Sequence, residues 1–434
     1  MIASPAFAGK RYAVLGLARS GLATVDALVA SGAEVMAWDN REEARAAVAD
    51  KARIADPLVT SLYGYDGIVV SPGVPLNRHP IAERARTARV PLLGDIELFA
   101  QARPGLPPHK VVGITGTNGK STTTALIHHI VRSAGMPTAM GGNIGLPILG
   151  QDPLIPNEKG VAIYVLELSS YQIDLTHSLD CDVSVLLNIS PDHLDRYDGV
   201  DDYAASKARL FTMQSPDHVA VIAIEDDYTR AIAGQIGGEK ILVESGQVRG
   251  QEDWPSIQGP HNAQNVAAAM AVAGALGIRE AEAKAALATY PGLPHRMERI
   301  AEKNGILFVN DSKATNPTST APALAAYPPD PEPRLHWILG GLPKSDELDA
   351  CQPFLGNVKG AYTIGEAGPM FARLLDPKVR VTECEMLVEA VGIAAEAAQP
   401  GEVVLLSPAC ASFDQFRDYE ARGDAFRAAV EALQ

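Results

Sequence analysis

The segment Gly113-Ile-Thr-Gly-Thr-Asn-Gly-Lys-Ser121 narrows what this chain can fold into more than any other. It joins Lys110-Val-Val-Gly-Ile-Thr, which reads as a short buried strand, to Ser121-Thr-Thr-Thr-Ala-Leu-Ile-His-His-Ile-Val, which reads as a helix. Glycines at a strand-to-helix turn let backbone amides approach an anion, and the positive end of the helix dipole adds to the attraction. Gly116 opens the turn, and the amides of Thr117, Asn118 and Gly119 are expected to face nucleotide phosphates. Lys120 would neutralise β- and γ-phosphate charge, and the Ser121 hydroxyl would hold Mg²⁺. The strict G-x-x-x-x-G-K-[ST] pattern wants glycine where Ile114 stands, and the nearest glycine is Gly113. The loop is therefore a variant phosphate loop, and ATP chemistry is the expectation.

Such a loop belongs to a parallel sheet, and alternating strands and helices surround it. From Arg11 to about Arg103, Tyr12-Ala-Val-Leu-Gly, Leu22-Ala-Thr-Val-Asp-Ala-Leu, Ala33-Glu-Val-Met-Ala-Trp-Asp39 and Gly67-Ile-Val-Val-Ser predict a doubly wound unit. Its first turn, Gly16-Leu-Ala-Arg-Ser-Gly21, approximates G-x-G-x-x-G with Ala18 in the middle, and names no ligand by itself. Asp39 ends the next strand, where such folds recognise a ribose or base; capping the following helix is the alternative reading. Turn-rich breaks fall at Pro104 to Pro108 and at Pro291-Gly-Leu-Pro294. A chain of 434 residues exceeds what one core serves. Three α/β domains are expected: a Rossmann-like 1–105, a central P-loop-type mononucleotide-binding ATPase domain at 106–297, and a Rossmann-like 298–434.

A formal charge of -15 argues against nucleic acid, whose phosphates demand a basic face. Cys181, Cys351, Cys384 and Cys410 stand far apart, with no Cys-x-x-Cys pair, and read as buried thiols of a reducing cytosol. Apolar runs such as Val183 to Leu187 and Val403 to Leu406 are too short to span a bilayer, and Met1 to Lys10 lacks an apolar leader. A soluble, cytoplasmic protein is expected.

Two further constellations carry chemistry. Glu167 closes a strand in Val165-Leu-Glu-Leu-Ser-Ser170, which aims its carboxylate at the phosphate rim as an oxygen ligand for Mg²⁺. Asn188-Ile-Ser-Pro-Asp-His-Leu-Asp-Arg-Tyr197 gathers two aspartates, His193 and an arginine at the same sheet edge. Lys207, in Tyr203-Ala-Ala-Ser-Lys-Ala-Arg-Leu-Phe211, reads on physics alone as a solvated helix lysine.

These motifs, with His261-Asn-x-x-Asn265 and Leu293-Pro-His-Arg296, resemble the Mur ligase family in order and spacing. Asn310-Asp-Ser-Lys-Ala-Thr-Asn316 and Leu406-Ser-Pro-Ala-Cys-Ala-Ser-Phe-Asp-Gln-Phe416 are similar to the carboxy-terminal motifs of its glutamate-adding branch. The resemblance covers all three domains. It implies a monomeric ligase of peptidoglycan precursor synthesis, using ATP and two Mg²⁺ ions to join D-glutamate to UDP-N-acetylmuramoyl-L-alanine, with no membrane insertion. Lys120, Glu167, His193, Lys207 and Arg296 would be catalytic. Lys207 would be carbamoylated and would hold the second Mg²⁺ with His193 and Glu167. Asn262, Asn265, Arg296 and Asp311 would surround adenosine and its phosphates. The UDP-linked substrate would meet Arg19, Ser20, Asn40, Arg41, Gly73, Asn143 and His193. Lys313, Thr315, Lys344, Ser412, Phe413 and Tyr419 would grip D-glutamate, with Tyr419 where a phenylalanine is familiar. A folylpolyglutamate synthase or another Mur ligase is the rival enzyme reading. A transport ATPase or nucleotide sensor is the rival from another class; it offers no use for Lys313 or the Ser407 to Phe416 run.

Overall fold

The structure, a computed structural model, describes residues 1–344 and 346–433, with the backbone alone for Pro260 and His261. Its central strands are buried at every position and mostly apolar: Ala162–Glu167 carries one charged residue, Glu167 at its end, and Val183–Leu186 one polar residue, Ser184, as strands covered on both faces allow. Among the described residues the strands form three sheets. The first runs Arg53–Ile54, Glu34–Trp38, Arg11–Leu15, Gly67–Val70, Leu92–Leu93, all parallel. The second, also parallel, runs Glu239–Val243, Val219–Ala223, Val183–Leu186, His109–Thr115, Ala162–Glu167, Thr138–Gly142. The third runs Glu298–Lys303, Ile306–Asn310, Val403–Leu406, Leu335–Gly340, Val358–Ile364, Val381–Glu385. In each sheet the chain reverses its winding beside a central strand, and the crevice so opened lies at the carboxyl ends of the strands.

Glu298–Lys303 pairs antiparallel with Ile306–Asn310, a hairpin the sequence reading did not foresee. Its turn residues Asn304 and Gly305 have φ of 53° and 75°. An Asn-Gly pair is a strong hairpin signal, and here charged Glu-Arg-Ile-Ala-Glu-Lys masked it.

The chain divides into two compact units: Met1–Asp253 with Pro260–Thr289, and Trp254–Gly259 with Tyr290–Gln434. The first holds two sheets over one shared core, in which Phe99 meets Tyr164 edge-on at 5.1 Å. Buried Glu97 adds a polar brace, accepting from the amides of His177 and Ser178 at 2.7 and 2.9 Å and from the Ser178 hydroxyl at 2.8 Å. The Pro104 to Pro108 break thus runs inside this unit. In the second unit, Trp337, Leu339 and Phe371 pack one face of the sheet, and Phe308, Ile338 and Phe426 the other.

Candidate active site

The phosphate loop follows strand His109–Thr115 and leads into helix Lys120–Ser133. Gly116 and Gly119 have φ of 150° and 82°, and both are hemmed in: a Cβ on Gly119 would stand 2.2 Å from Asn265 Oδ1. Two of the three amides expected at the phosphates are turned elsewhere. Thr117 N donates to Asn188 O at 2.8 Å and Asn118 N to Asn188 Oδ1 at 2.8 Å, so the neighbouring strand end takes up these two donors. The helix start at Gly119 to Ser121 is therefore the candidate end for an anion.

Two lysines converge here. Lys120 Nζ donates to the carbonyls of Gly116 (2.9 Å) and Thr117 (2.8 Å), and Lys207 Nζ donates to the same Gly116 carbonyl at 2.9 Å. Lys207 is 1% exposed, with its ammonium 4.5 Å from the Tyr203 ring centroid. The solvated-lysine reading is thus overturned, because helix Val200–Thr212 turns this face onto the loop. Burial, then the charge of Lys120, hold the Lys207 ammonium well below its ordinary value.

Glu167 ends its strand 2% exposed. Its Oε1 accepts from Asn143 Nδ2 at 3.1 Å, and its Oε2 is buried with no hydrogen-bond partner. A carboxylate oxygen so placed calls for a cation. Ser121 is also buried, at 4%. His193 takes a φ of 55° and lies 4.8 Å from the Tyr171 ring and 6.0 Å from that of Tyr203. Burial lowers its pKa. Among the described residues no three His, Cys, Asp or Glu side chains converge as a metal cluster. A divalent ion at Glu167 would need the hydroxyl and substrate oxygens as well.

On the first sheet, Gly16 (φ 92°) lies against Ser71, whose hydroxyl donates to Gly16 O at 3.1 Å. Asp39 ties this rim together: Oδ2 accepts from Leu17 N at 2.7 Å and Oδ1 from Arg41 N at 2.9 Å. It does not cap helix Glu42–Ala46, whose N-cap is Arg41 without a side-chain bond. Asn40 and Arg41 are exposed. Ser20 lies in the first turn of helix Arg19–Ala30, and Arg19 Nη2 donates to Gly145 O at 3.3 Å, beside the Asn143 loop. Arg196 donates to Gly73 O and Val74 O, both at 2.9 Å, with its guanidinium 4.5 Å from the Tyr171 ring centroid. Asn265, 4% exposed, accepts from the Thr123 hydroxyl at 3.2 Å and donates to Asn262 at 3.2 Å. It braces the phosphate loop from beneath.

In the second unit, Arg296 is flanked by His295 and Met297 at φ of 60° and 47°, and its buried Nε has no hydrogen-bond partner. Non-glycine residues in this region mark strain that the surrounding structure must enforce. Asp311 Oδ2 accepts from the Ser407 hydroxyl at 2.8 Å and Oδ1 from Met297 N at 3.2 Å; burial pushes its carboxyl up to about 7. Lys313 Nζ lies 5.4 Å from the Tyr419 ring centroid, and Lys344 Nζ donates to Thr315 Oγ1 at 3.2 Å. Leu342 and Ala411 exchange both backbone bonds at 3.0 Å, joining the Lys344 segment to that of buried Ser412. Phe413 is 69% exposed, and the Tyr419 hydroxyl donates to Glu420 at 3.2 Å.

Residues 114–254 match the Mur ligase middle domain, and residues 295–410 the Mur ligase glutamate ligase domain. The chain is 66% identical to UDP-N-acetylmuramoylalanine--D-glutamate ligase of Novosphingobium aromaticivorans, over 100% of this chain and 97% of that protein. It is 62% identical to the enzyme of the same name from Sphingopyxis alaskensis, over 100% of both. The chain belongs to the Mur ligase family. Its fold is also that of the UDP-N-acetylmuramate-alanine ligase MurC from Thermotoga maritima, with a TM-score of 0.60 at 17% identity, covering 98% of this chain and 100% of that one.

Membership of the Mur ligases sets aside the transport ATPase and sensor. For this Mur ligase, sequence reasoning overlooked three residues. Asn188, quoted only as the first residue of its motif, fastens the phosphate loop. Arg196 reaches the Gly73 carbonyl. Arg422, buried at 1% in the closing helix Tyr419–Ala432, had no local signal because a helix arginine ordinarily faces water.

Proposed function

We propose that this Mur ligase joins the amine of D-glutamate to the alanyl carboxylate of UDP-N-acetylmuramoyl-L-alanine, driven by cleavage of ATP to ADP and phosphate. Full-length likeness to D-glutamate ligases carries this reading. A carboxylate is resonance-stabilised and its oxygen is a poor leaving group, so an amine does not displace it near neutral pH. The alanyl carboxylate first attacks the γ-phosphorus in line; ADP leaves, and an acyl phosphate forms. Lys120 and Arg296 spread the charge that develops on the transferring group. The glutamate amine then attacks the carbonyl carbon, loses a proton, and the tetrahedral intermediate collapses to the amide as phosphate departs.

The chemistry of Glu167 fits Mg²⁺, since an unpaired buried carboxylate oxygen beside the phosphate loop is the hard ligand that such an ion takes. When bound, Mg²⁺ supplies Lewis acidity to phosphate oxygens; Ser121, Glu167, His193 and carbamoylated Lys207 would hold two such ions. Carbamoylation requires the neutral amine, whose nitrogen bonds to the carbon of CO₂ with release of a proton, and burial of Lys207 favours that neutral form. Asn262, Asn265 and Asp311 serve the nucleotide end, Asn265 by packing against the phosphate loop at Gly119. Arg19, Ser20, Asn40, Arg41, Gly73 and Asn143 serve the UDP-linked substrate. Lys313, Thr315, Lys344, Ser412, Phe413 and Tyr419 serve D-glutamate. In this reading the enzyme works as a monomer in the cytoplasm, where UDP-linked precursors and ATP are found; no helix among the described residues is long and apolar enough to cross a membrane.

The test is phosphate release by the purified chain with ATP and UDP-N-acetylmuramoyl-L-alanine, comparing D-glutamate with L-glutamate. Turnover is expected with the D isomer. With ¹⁸O in the alanyl carboxylate, label is expected in the released phosphate; its absence would exclude the acyl phosphate.

A further inference from the structure

Arg422 is among the largest side chains this fold buries completely. Its guanidinium donates from Nε to Ser312 Oγ at 3.0 Å, from Nη1 to Ala411 O at 3.1 Å, and from Nη2 to Ser312 O at 2.9 Å and Cys410 O at 3.0 Å. These acceptors are neutral. Burying a cation against carbonyls instead of a carboxylate is costly, and burial pulls this guanidinium down to about 10. Lysine could not replace the arrangement: a rigid planar fork reaches two separated segments at once, whereas an ammonium is a point.

The segments so joined are not arbitrary. Ser312 precedes Lys313, and Cys410-Ala411 precedes Ser412. The Ser312 hydroxyl also donates to Tyr419 O at 2.8 Å, which brings in a third segment. Gly341 completes the arrangement: a Cβ there would stand 2.3 Å from Ala411 O and 3.0 Å from Arg422 Nη1, so the Lys344 segment is seated against the same hub. We infer that Arg422 is a positioning residue of the amino-acid site, its fork setting the spacing between the Lys313 and Ser412 loops. The inference rests on the proposed role of those loops in gripping D-glutamate.

Arg422→Lys retains the charge and loses the fork. In this variant the KM for D-glutamate is expected to rise about 10- to 100-fold, the size of effect that an ångström of misplacement produces. The KM values for ATP and the UDP-linked substrate should hold. So should a partial reaction needing no amino acid, the scrambling of bridging ¹⁸O in ATP in the presence of the UDP-linked substrate. An unchanged D-glutamate KM, or an equal loss in the partial reaction, would overturn the inference. Should circular dichroism show that Arg422→Lys does not fold, Ser312→Ala, which removes one acceptor and the Tyr419 tether, decides the matter by the same split at smaller size. A wild-type chain inactive with D-glutamate would overturn the functional reading and this inference together. A wild type active with D-glutamate beside an unaffected variant overturns the inference alone.

Discussion

Around Gly116 two lysines share one carbonyl, whereas around Ser312 one arginine spreads over the backbone of two loops. The phosphate rim of the first unit is contiguous: one loop supplies the glycines, the lysine and the hydroxyl, and the helix dipole backs them. The amino-acid rim of the second unit is assembled from segments near Lys313, Lys344, Ser412 and Tyr419, none of which is a site by itself. The contrast teaches where each rim keeps its cations. At the phosphate rim Lys120 and Lys207 lean on carbonyls that an anion can relieve of them, while at the amino-acid rim the buried cation is fully used by the protein and the outer lysines are the ones proposed to meet the ligand.

The comparison can be broken by substitutions. Lys120→Ala removes a charge aimed at the transferring phosphoryl group, and kcat is expected to fall about 10³-fold in steady-state phosphate release; a fall below tenfold would contradict its role. Lys207→Ala is expected to lose about 10²-fold and to recover in part with a short carboxylic acid added, whereas full activity without rescue would end the carbamate idea. Lys344→Ala, on the exposed side of the other rim, should raise the D-glutamate KM about tenfold with kcat nearly unchanged, as for one charge-assisted hydrogen bond. Equal damage to ATP use would mean that the two rims are not separable in this way.

The smallest effect concerns pH. Asp311 is raised from 3.8 to about 7 in the folded protein, so the stability it contributes is complete below about 3.8 and is lost as pH rises through about 7. The Tm of the ligand-free wild type, measured against Asp311→Asn, should therefore decline from pH 4 to pH 7. A constant difference would show that Asp311 does not titrate there.

Legibility differed between the rims for the same reason. Glu167 was readable because strand periodicity ends at it and a motif surrounds it. The Asn304-Gly305 hairpin was readable in principle, yet the charged strand beside it hid the alternation. Asp39 invited two readings; the structure sets aside helix capping and shows a tie to Leu17 across the rim.

Composition, periodicity and the phosphate-loop motif by themselves determined an α/β chain with parallel sheets, the nucleotide-binding turn and the strand end that carries Glu167, since each depends on neighbours a few residues apart. Tertiary structure alone decided that Asn188 takes the loop amides from 70 residues away, that Lys207 meets Gly116 across 91, and that Arg422 meets Ser312 across 110. Such partners leave no local period, because a buried polar group is satisfied by whichever segment the fold brings to it.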